Sequence, residues 1–195
     1  MKKTKNSVHI ICILDRSGSM GPLQSEVINS FNNFLNTQKS QKGKAYLSLV
    51  LFDDQYEIIY NKVNLKKVCP IDESIYYSRG MTSLYDAIGK TLTSVCDKNV
   101  MVLIQTDGFE NSSQEYNQTA IKNLISSKED LGWDFTFLGA NIDTVKEGSK
   151  IGLSASKSID FSPTTRGVEM AYMAMSNATS TYRSLKDDEW SKKDV

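Results

Sequence analysis

The stretch Val8-His-Ile-Ile-Cys-Ile-Leu-Asp-Arg-Ser-Gly-Ser19 sets an apolar run directly against a polar loop. Val8–Leu14 is largely β-branched and shows no alternation of polar and apolar positions. That pattern predicts a strand covered on both faces, as the strands of a parallel sheet are. The loop that follows leaves such a strand at its carboxyl end, where open α/β sheets bind their ligands.

Working outward, Leu23, Val27, Phe31, Phe34 and Leu35 recur at helical spacing after Gly21-Pro22, a helix start. Ala45–Phe52 reads as a second strand and Tyr56–Val63 as a third. Only Asp53-Asp54-Gln55 separates them, too little for a crossover helix, so these two strands pair antiparallel. Leu84, Ala87, Ile88, Thr91, Leu92 and Val95 form a helical stripe, with Ser83 and Asp86 as its capping pair. Val100–Gln105 is another buried strand, and Ser112 with Glu115 reads as a capping box ahead of Ala120, Ile121, Leu124 and Ile125. A strand at Phe135–Leu138, a short helix at Thr144–Lys150 and a strand at Lys157–Phe161 follow. Ser162-Pro163 marks the start of a last helix carrying Val168, Ala171, Tyr172, Met175, Thr179 and Tyr182 on one face.

The predicted fold is therefore α/β and doubly wound (Rossmann-like). It is a mostly parallel six-stranded sheet with one antiparallel edge strand and helices on both faces. The 195 residues fit one domain, with a core over about 8–183 and a charged tail at 186–195 that frays.

Charge and cysteine content narrow the function classes. The 23 basic and 23 acidic side chains cancel, so the chain lacks the strongly basic character of nucleic-acid or anionic-membrane binders. Cys12, Cys69 and Cys96 are odd in number and widely spaced, and His9 is the lone histidine. Neither a disulfide framework nor a Cys/His zinc site is expected. Lys2, Lys3 and Lys5 before the apolar run resemble a signal peptide faintly. The run, however, contains His9 and ends on Asp15-Arg16 with no small-residue cleavage site. No segment approaches the ~20 apolar residues of a membrane span. The expected location is cytoplasmic.

Three segments fall where strands and loops should meet at one edge: Asp15-Arg-Ser-Gly-Ser19, Gly80-Met-Thr-Ser83 and Thr106-Asp-Gly108. They offer carboxylates and hydroxyls, hard oxygen donors that suit Mg²⁺, Mn²⁺ or Ca²⁺ and not zinc or copper. With only two carboxylates, coordination positions stay open for water or an incoming oxygen. The bland reading of the same loops is a phosphate-binding or purely structural set.

In these loops the chain resembles the von Willebrand factor A domain family. The resemblance rests on Asp15-x-Ser17-x-Ser19, on Thr82 within Gly80-Met-Thr-Ser-Leu-Tyr-Asp-Ala-Ile88, and on Thr106-Asp107-Gly108. These match the three loops of that family's metal ion-dependent adhesion site, in order and at plausible spacing. The resemblance implies that Ser17, Ser19 and Thr82 contact a divalent cation through hydroxyls. It implies that Asp15 and Asp107 hold the ion directly or through water. The open position would accept an Asp or Glu carboxylate from a protein partner. Stand-alone domains of this kind occur in bacteria and phages, where they join larger assemblies.

Other residues near these loops carry two readings each. Arg16 points either to solvent or to a neighbouring acid. Asp53 either lines the same edge or belongs to a polar hairpin turn. Glu110 either supports the metal loops or caps a helix. Phe109 and Tyr85 are either partner-contact anchors or buried packing residues. His9 reads as a satisfied core or edge histidine, Cys12 as core, and Met170, Met173 and Met175 as helix packing.

The function expected first is a non-enzymatic, metal-dependent protein-interaction module. The alternative is a metal-assisted phosphohydrolase with Asp15 as nucleophile. Ser17 stands where such enzymes place the second carboxylate that moves the proton, which weighs against it.

Overall fold

The computed structural model describes residues 7–191. Lys2, Lys3, Lys5 and the end of the charged tail lie outside the described residues. Six strands form one sheet: β1 (Val8–Asp15), β2 (Ala45–Phe52), β3 (Tyr56–Asn64), β4 (Val100–Thr106), β5 (Asp134–Ala140) and β6 (Ser158–Phe161). Their order is β3-β2-β1-β4-β5-β6. β1 pairs parallel with β2 and β4, β5 pairs parallel with β4 and β6, and only the β2–β3 pair is antiparallel. The short Asp53–Gln55 turn thus dictates the one antiparallel edge strand, as its length requires.

The helices are α1 (Gln24–Ser40), α2 (Leu84–Ser94), α3 (Gln118–Asp130), α4 (Thr144–Lys150) and α5 (Thr165–Ser191). Every residue of β1 is buried, so its alternating side chains feed two separate cores. Ile10, Cys12 and Leu14 pack with Phe31 and Phe34 of α1 and with Tyr172 and Met175 of α5. Ile11 and Ile13 pack with Leu84 and Ile88 of α2 and with Ile121 and Ile125 of α3. This two-faced burial is the physical meaning of the unbroken apolar run. β1 is also the strand at which the order reverses, with β2 on one side and β4 on the other. The loops leaving β1 and β4 therefore diverge and open a crevice between them.

The capping signals were less reliable than the periodicities. Residues 18–23 form a 3₁₀ turn that contains Pro22, so α1 begins only at Gln24. α3 is capped by Asn117, whose Oδ1 accepts the Ala120 N–H, and not by a Ser112–Glu115 box. Ser83 makes no side-chain cap, and its hydroxyl instead shares a hydrogen bond with Ser112. Asp86 accepts the backbone N–H groups of Gln114, Glu115 and Tyr116. The cause is tertiary. A Cβ at Gly89 would lie 2.4 Å from the Tyr116 ring, so that glycine lets Tyr116 close on to α2. The segment between β4 and α3 is thereby drawn across α2, and local capping pairs give way to cross-loop ones. In α5, Met175 is buried but Met170 and Met173 are 59% and 64% exposed, so only the first packs inside. α5 runs to Ser191 and so takes in residues 186–191 of the charged tail.

Candidate metal centre

Asp15 ends β1 with its carboxylate fully buried. Oδ1 accepts the Ser17 N–H at 2.6 Å and Oδ2 accepts the Thr106 hydroxyl from β4 at 2.6 Å. Its carbonyl accepts the Tyr76 hydroxyl. Ser17 and Ser19 hydroxyls lie 3.2 Å apart, and the Ser19 hydroxyl donates to Asp107 Oδ1 at 2.6 Å. Thr82 closes the group: a Cβ placed on Gly108 would sit 3.5 Å from the Thr82 hydroxyl and 3.7 Å from that of Ser19. All five residues read from the sequence thus converge on one edge of the sheet.

Burial raises the pKa of both carboxyls. For Asp15 desolvation outweighs its hydrogen bonds, and with a smaller push from Asp107 it moves the pKa up to about 6. Asp107 moves in the same direction for the same first reason. Neither has a salt-bridge partner among the described residues, since the guanidinium of Arg16 is turned to Asp53 and Glu57. No group of three or more His, Cys, Asp or Glu side chains gathers as a metal cluster among the described residues. The arrangement is therefore hydroxyl-rich, with two buried acids lacking a counter-charge. That donor set fits a hard divalent cation.

The supporting residues resolve the paired readings. Arg16 does not point to solvent. It is fully buried, with Nε 3.0 Å from Asp53 Oδ2 and Nη2 2.7 Å from Glu57. Asp53 is also buried and joins three loops. Oδ2 accepts from Arg16 and from Arg79 Nε, Oδ1 accepts the Gln55 N–H, and its carbonyl accepts the Ser83 N–H. It lies at the edge, then, but as a tether turned inward. Glu110 Oε1 accepts the N–H groups of Ser112 and Ser113, while Oε2 accepts that of Tyr85. It ties the loop after β4 to the start of α2 and has no oxygen left free of a donor. Asn111 completes that tie by exchanging two hydrogen bonds with the backbone of Thr82. Phe109 is 55% exposed beside Asp107-Gly108, whereas Tyr85 is half-buried against the α2–α3 core.

Sequence reasoning missed Arg79, Asn111 and Tyr76. A lone arginine, asparagine or tyrosine in a loop carries no spacing signal, and only the packing of distant loops gives each its role.

A hydrogen-bonded chain runs from Ser48 Oγ to His9 Nε2 and from His9 Nδ1 to Asp97 Oδ2, each at 2.8 Å. That order matches a hydrolase triad. However, Ser48 and His9 are buried mid-strand, and the Ser48 hydroxyl also accepts the N–H of Lys62, whose backbone is left-handed (φ 50°). The chain stabilises the irregular β2–β3 pairing, consistent with His9 as a satisfied histidine.

No protein-family model and no curated protein matches the chain. Solved structures do. The von Willebrand factor domain of the type V pili tip protein Mfa5 from Porphyromonas gingivalis superposes with a TM-score of 0.70 at 9% identity, covering 89% of this chain and 95% of that one. The pilus adhesin SpaC from Lactobacillus rhamnosus GG gives 0.71 at 14%, covering 91% of this chain and 31% of that one. Proximal thread matrix protein 1 from the mussel byssus, solved with a zinc-occupied MIDAS motif, gives 0.66 at 16%, covering 89% and 46%. The chain spans less than half the length of the last two. At these identities the likeness concerns the fold, and the fold is that of the von Willebrand factor A domain.

Proposed function

We propose that this chain is a metal-dependent protein-interaction module and not an enzyme. Ser17, Ser19 and Thr82 would contact a divalent cation through their hydroxyls, and Asp15 and Asp107 would hold it directly or through water. The carrying observation is the convergence of these five residues around two buried carboxyls that have no counter-charge. The bound cation would present a positive pole to an acidic side chain of a partner protein, a contact strong enough to offset the desolvation of that acid. This chain's own residues orient the centre. Thr106 and the Ser17 N–H fix the Asp15 carboxylate, and Ser19 fixes Asp107. Asp53, Glu110 and Asn111 hold the three loops in register.

Mg²⁺, Mn²⁺ and Ca²⁺ suit the oxygen donors, and zinc joins them because the byssus protein's motif holds it. The partner is a protein presenting Asp or Glu. No helix among the described residues is long and apolar enough to cross a membrane. Three free thiols favour a reducing, cytoplasmic setting.

Calorimetric titration of Mg²⁺, Mn²⁺ and Zn²⁺ into wild type and Asp15→Ala tests the metal. Heat in the wild type alone is the expected result, and negligible heat in both rejects the site. Capture of partners with and without chelator tests the use of the ion. Thr82→Ala should keep the fold and lose the chelator-sensitive partner. Phosphate release from a phosphoester panel, above an Asp15→Ala background, would instead establish the phosphohydrolase.

A further inference from the structure

The opposite end of the sheet is built differently. There the last turn of α1, the start of β2, the end of β3 and α5 surround an open cleft of about 380 Å³. Four of its lining residues are cations, Lys39, Lys44, Lys66 and Arg183, and none is a carboxylate. In a chain whose charges cancel overall, this is a local concentration and not a reflection of general basicity.

None of these four cations forms a salt bridge among the described residues, and the one nearby carboxylate, Asp187, lies against Gly43 of the lining. Arg183 is 4% exposed, and its guanidinium donates only to Gln38, Lys42 and Gly43 oxygens, all of them carbonyls. The carboxylate that acts on Arg183, Asp187, lines an adjoining cleft together with Lys42. Lys39 Nζ donates to the Val68 carbonyl at 2.6 Å. The Lys44 ammonium lies 5.4 Å over the Tyr46 ring. Lys66 forms no ion pair among the described residues, and its N–H is held by Asn64 Oδ1. Carbonyls hold Arg183 and Lys39 and a ring face holds Lys44 without cancelling their charge.

We propose that this cleft binds a compact anion bearing two or more charges through its phosphate groups. The volume falls within the range of small-ligand sites. No aromatic residue lines it, so nothing stacks a nucleobase or sugar ring, and recognition falls on phosphate oxygens. Lysine ammoniums serve as point charges for such groups, and the Gln41 and Asn64 amides add neutral donors at the rim. The site is remote from the metal loops and independent of the function proposed for them.

The test is calorimetric titration of sodium pyrophosphate into the full chain, stripped of metal and dialysed free of chelator, at low and at physiological salt. Lys44→Ala/Lys66→Ala removes two exposed cations, with thermal melting as the folding control. Lys66→Arg keeps the charge, and Asp15→Ala controls for the metal edge. Binding by wild type, Lys66→Arg and Asp15→Ala, weakened at least about tenfold in the double variant and by added salt, is the expected result. No binding by the wild type, or equal binding in the folded double variant, overturns the proposal. Loss in Asp15→Ala with retention in the double variant also overturns it, by placing the anion at the metal edge. ATP should bind about as tightly as tripolyphosphate, which carries the same three phosphates. A much tighter ATP would overturn the claim that phosphate groups alone are read.

Discussion

Each end of the sheet buries one arginine, and the two are held in opposite ways. At the carboxyl ends of the strands Arg16 is met by the carboxylates of Asp53 and Glu57, and Asp53 also takes Arg79. At the amino ends Arg183 is met by carbonyl oxygens, three of them main-chain. The first arrangement uses charge to lock loops together and so frees Asp15 and Asp107 to be the unmatched charges of their edge. The second uses neutral dipoles and leaves its end of the molecule positive. Equal totals of acid and base thus conceal two poles with different chemistry.

The comparison can be broken by mutation. Asp53→Ala strips the carboxylate from two arginines, one of them buried with Nη1 lacking any hydrogen-bond partner among the described residues. Loss of one partner of a buried pair should cost about 3–5 kcal/mol, measured by urea unfolding.

The unmatched acids come next. With its folded pKa pushed up to about 6 from 3.8, Asp15 holds its proton more tightly folded than unfolded. Its contribution to stability is therefore greatest below the unfolded value and is lost as pH rises through the folded one. Metal-free protein should lose up to about 3 kcal/mol across that window. Added Mn²⁺ or Mg²⁺ should restore it chiefly above pH 6, because the ion binds the carboxylate and competes with the proton. Melting curves with and without metal at either side of the window check this. A metal-induced gain that is larger at the acid side would contradict the assignment.

Arg183→Met should cost less, about 1–3 kcal/mol, because it leaves carbonyls without a donor and breaks no salt bridge, the neighbouring Asp187 lying in the adjoining, open cleft. A loss as large as that of Asp53→Ala would erase the distinction between the two ends. The smallest effect belongs to Phe109→Ala. Phe109 is more than half exposed, so stability should change by less than about 0.5 kcal/mol, while capture of a partner at the metal edge should weaken.

Much of the fold was readable along the chain. β2 and α4 appear with the predicted bounds, and β1, β3 and β4 differ from theirs by one residue; in β1, β2 and β4 two-sided burial writes itself as an unbroken apolar run. The three loop segments were readable for a related reason, since each follows a strand end or opens a helix, and the resemblance to the von Willebrand factor A family singled out the five residues within them. Capping signals fail in α2, where cross-loop bonds replace the local pair, and in α3, where the local cap is Asn117 and not Ser112. Asp86 and Glu110 hold the segment between β4 and α3, and neither looks different in sequence from an ordinary helix-start acid. Arg16 was undecided because its environment is assembled from β2, β3 and the Arg79 loop.

By itself, then, the sequence determined the sheet, its antiparallel edge and the edge on which Asp15, Ser17, Ser19, Thr82 and Asp107 gather. Hydrophobic period and loop length are local quantities and suffice for that. Only the tertiary structure decided which charges are matched. Pairing depends on distances between segments far apart in the chain, and net composition averages those distances away. It turned Asp53 inward to Arg16, left Asp15 and Asp107 without a basic side chain among the described residues, and gathered lysines from α1, from just before β2 and from just after β3 around one cleft.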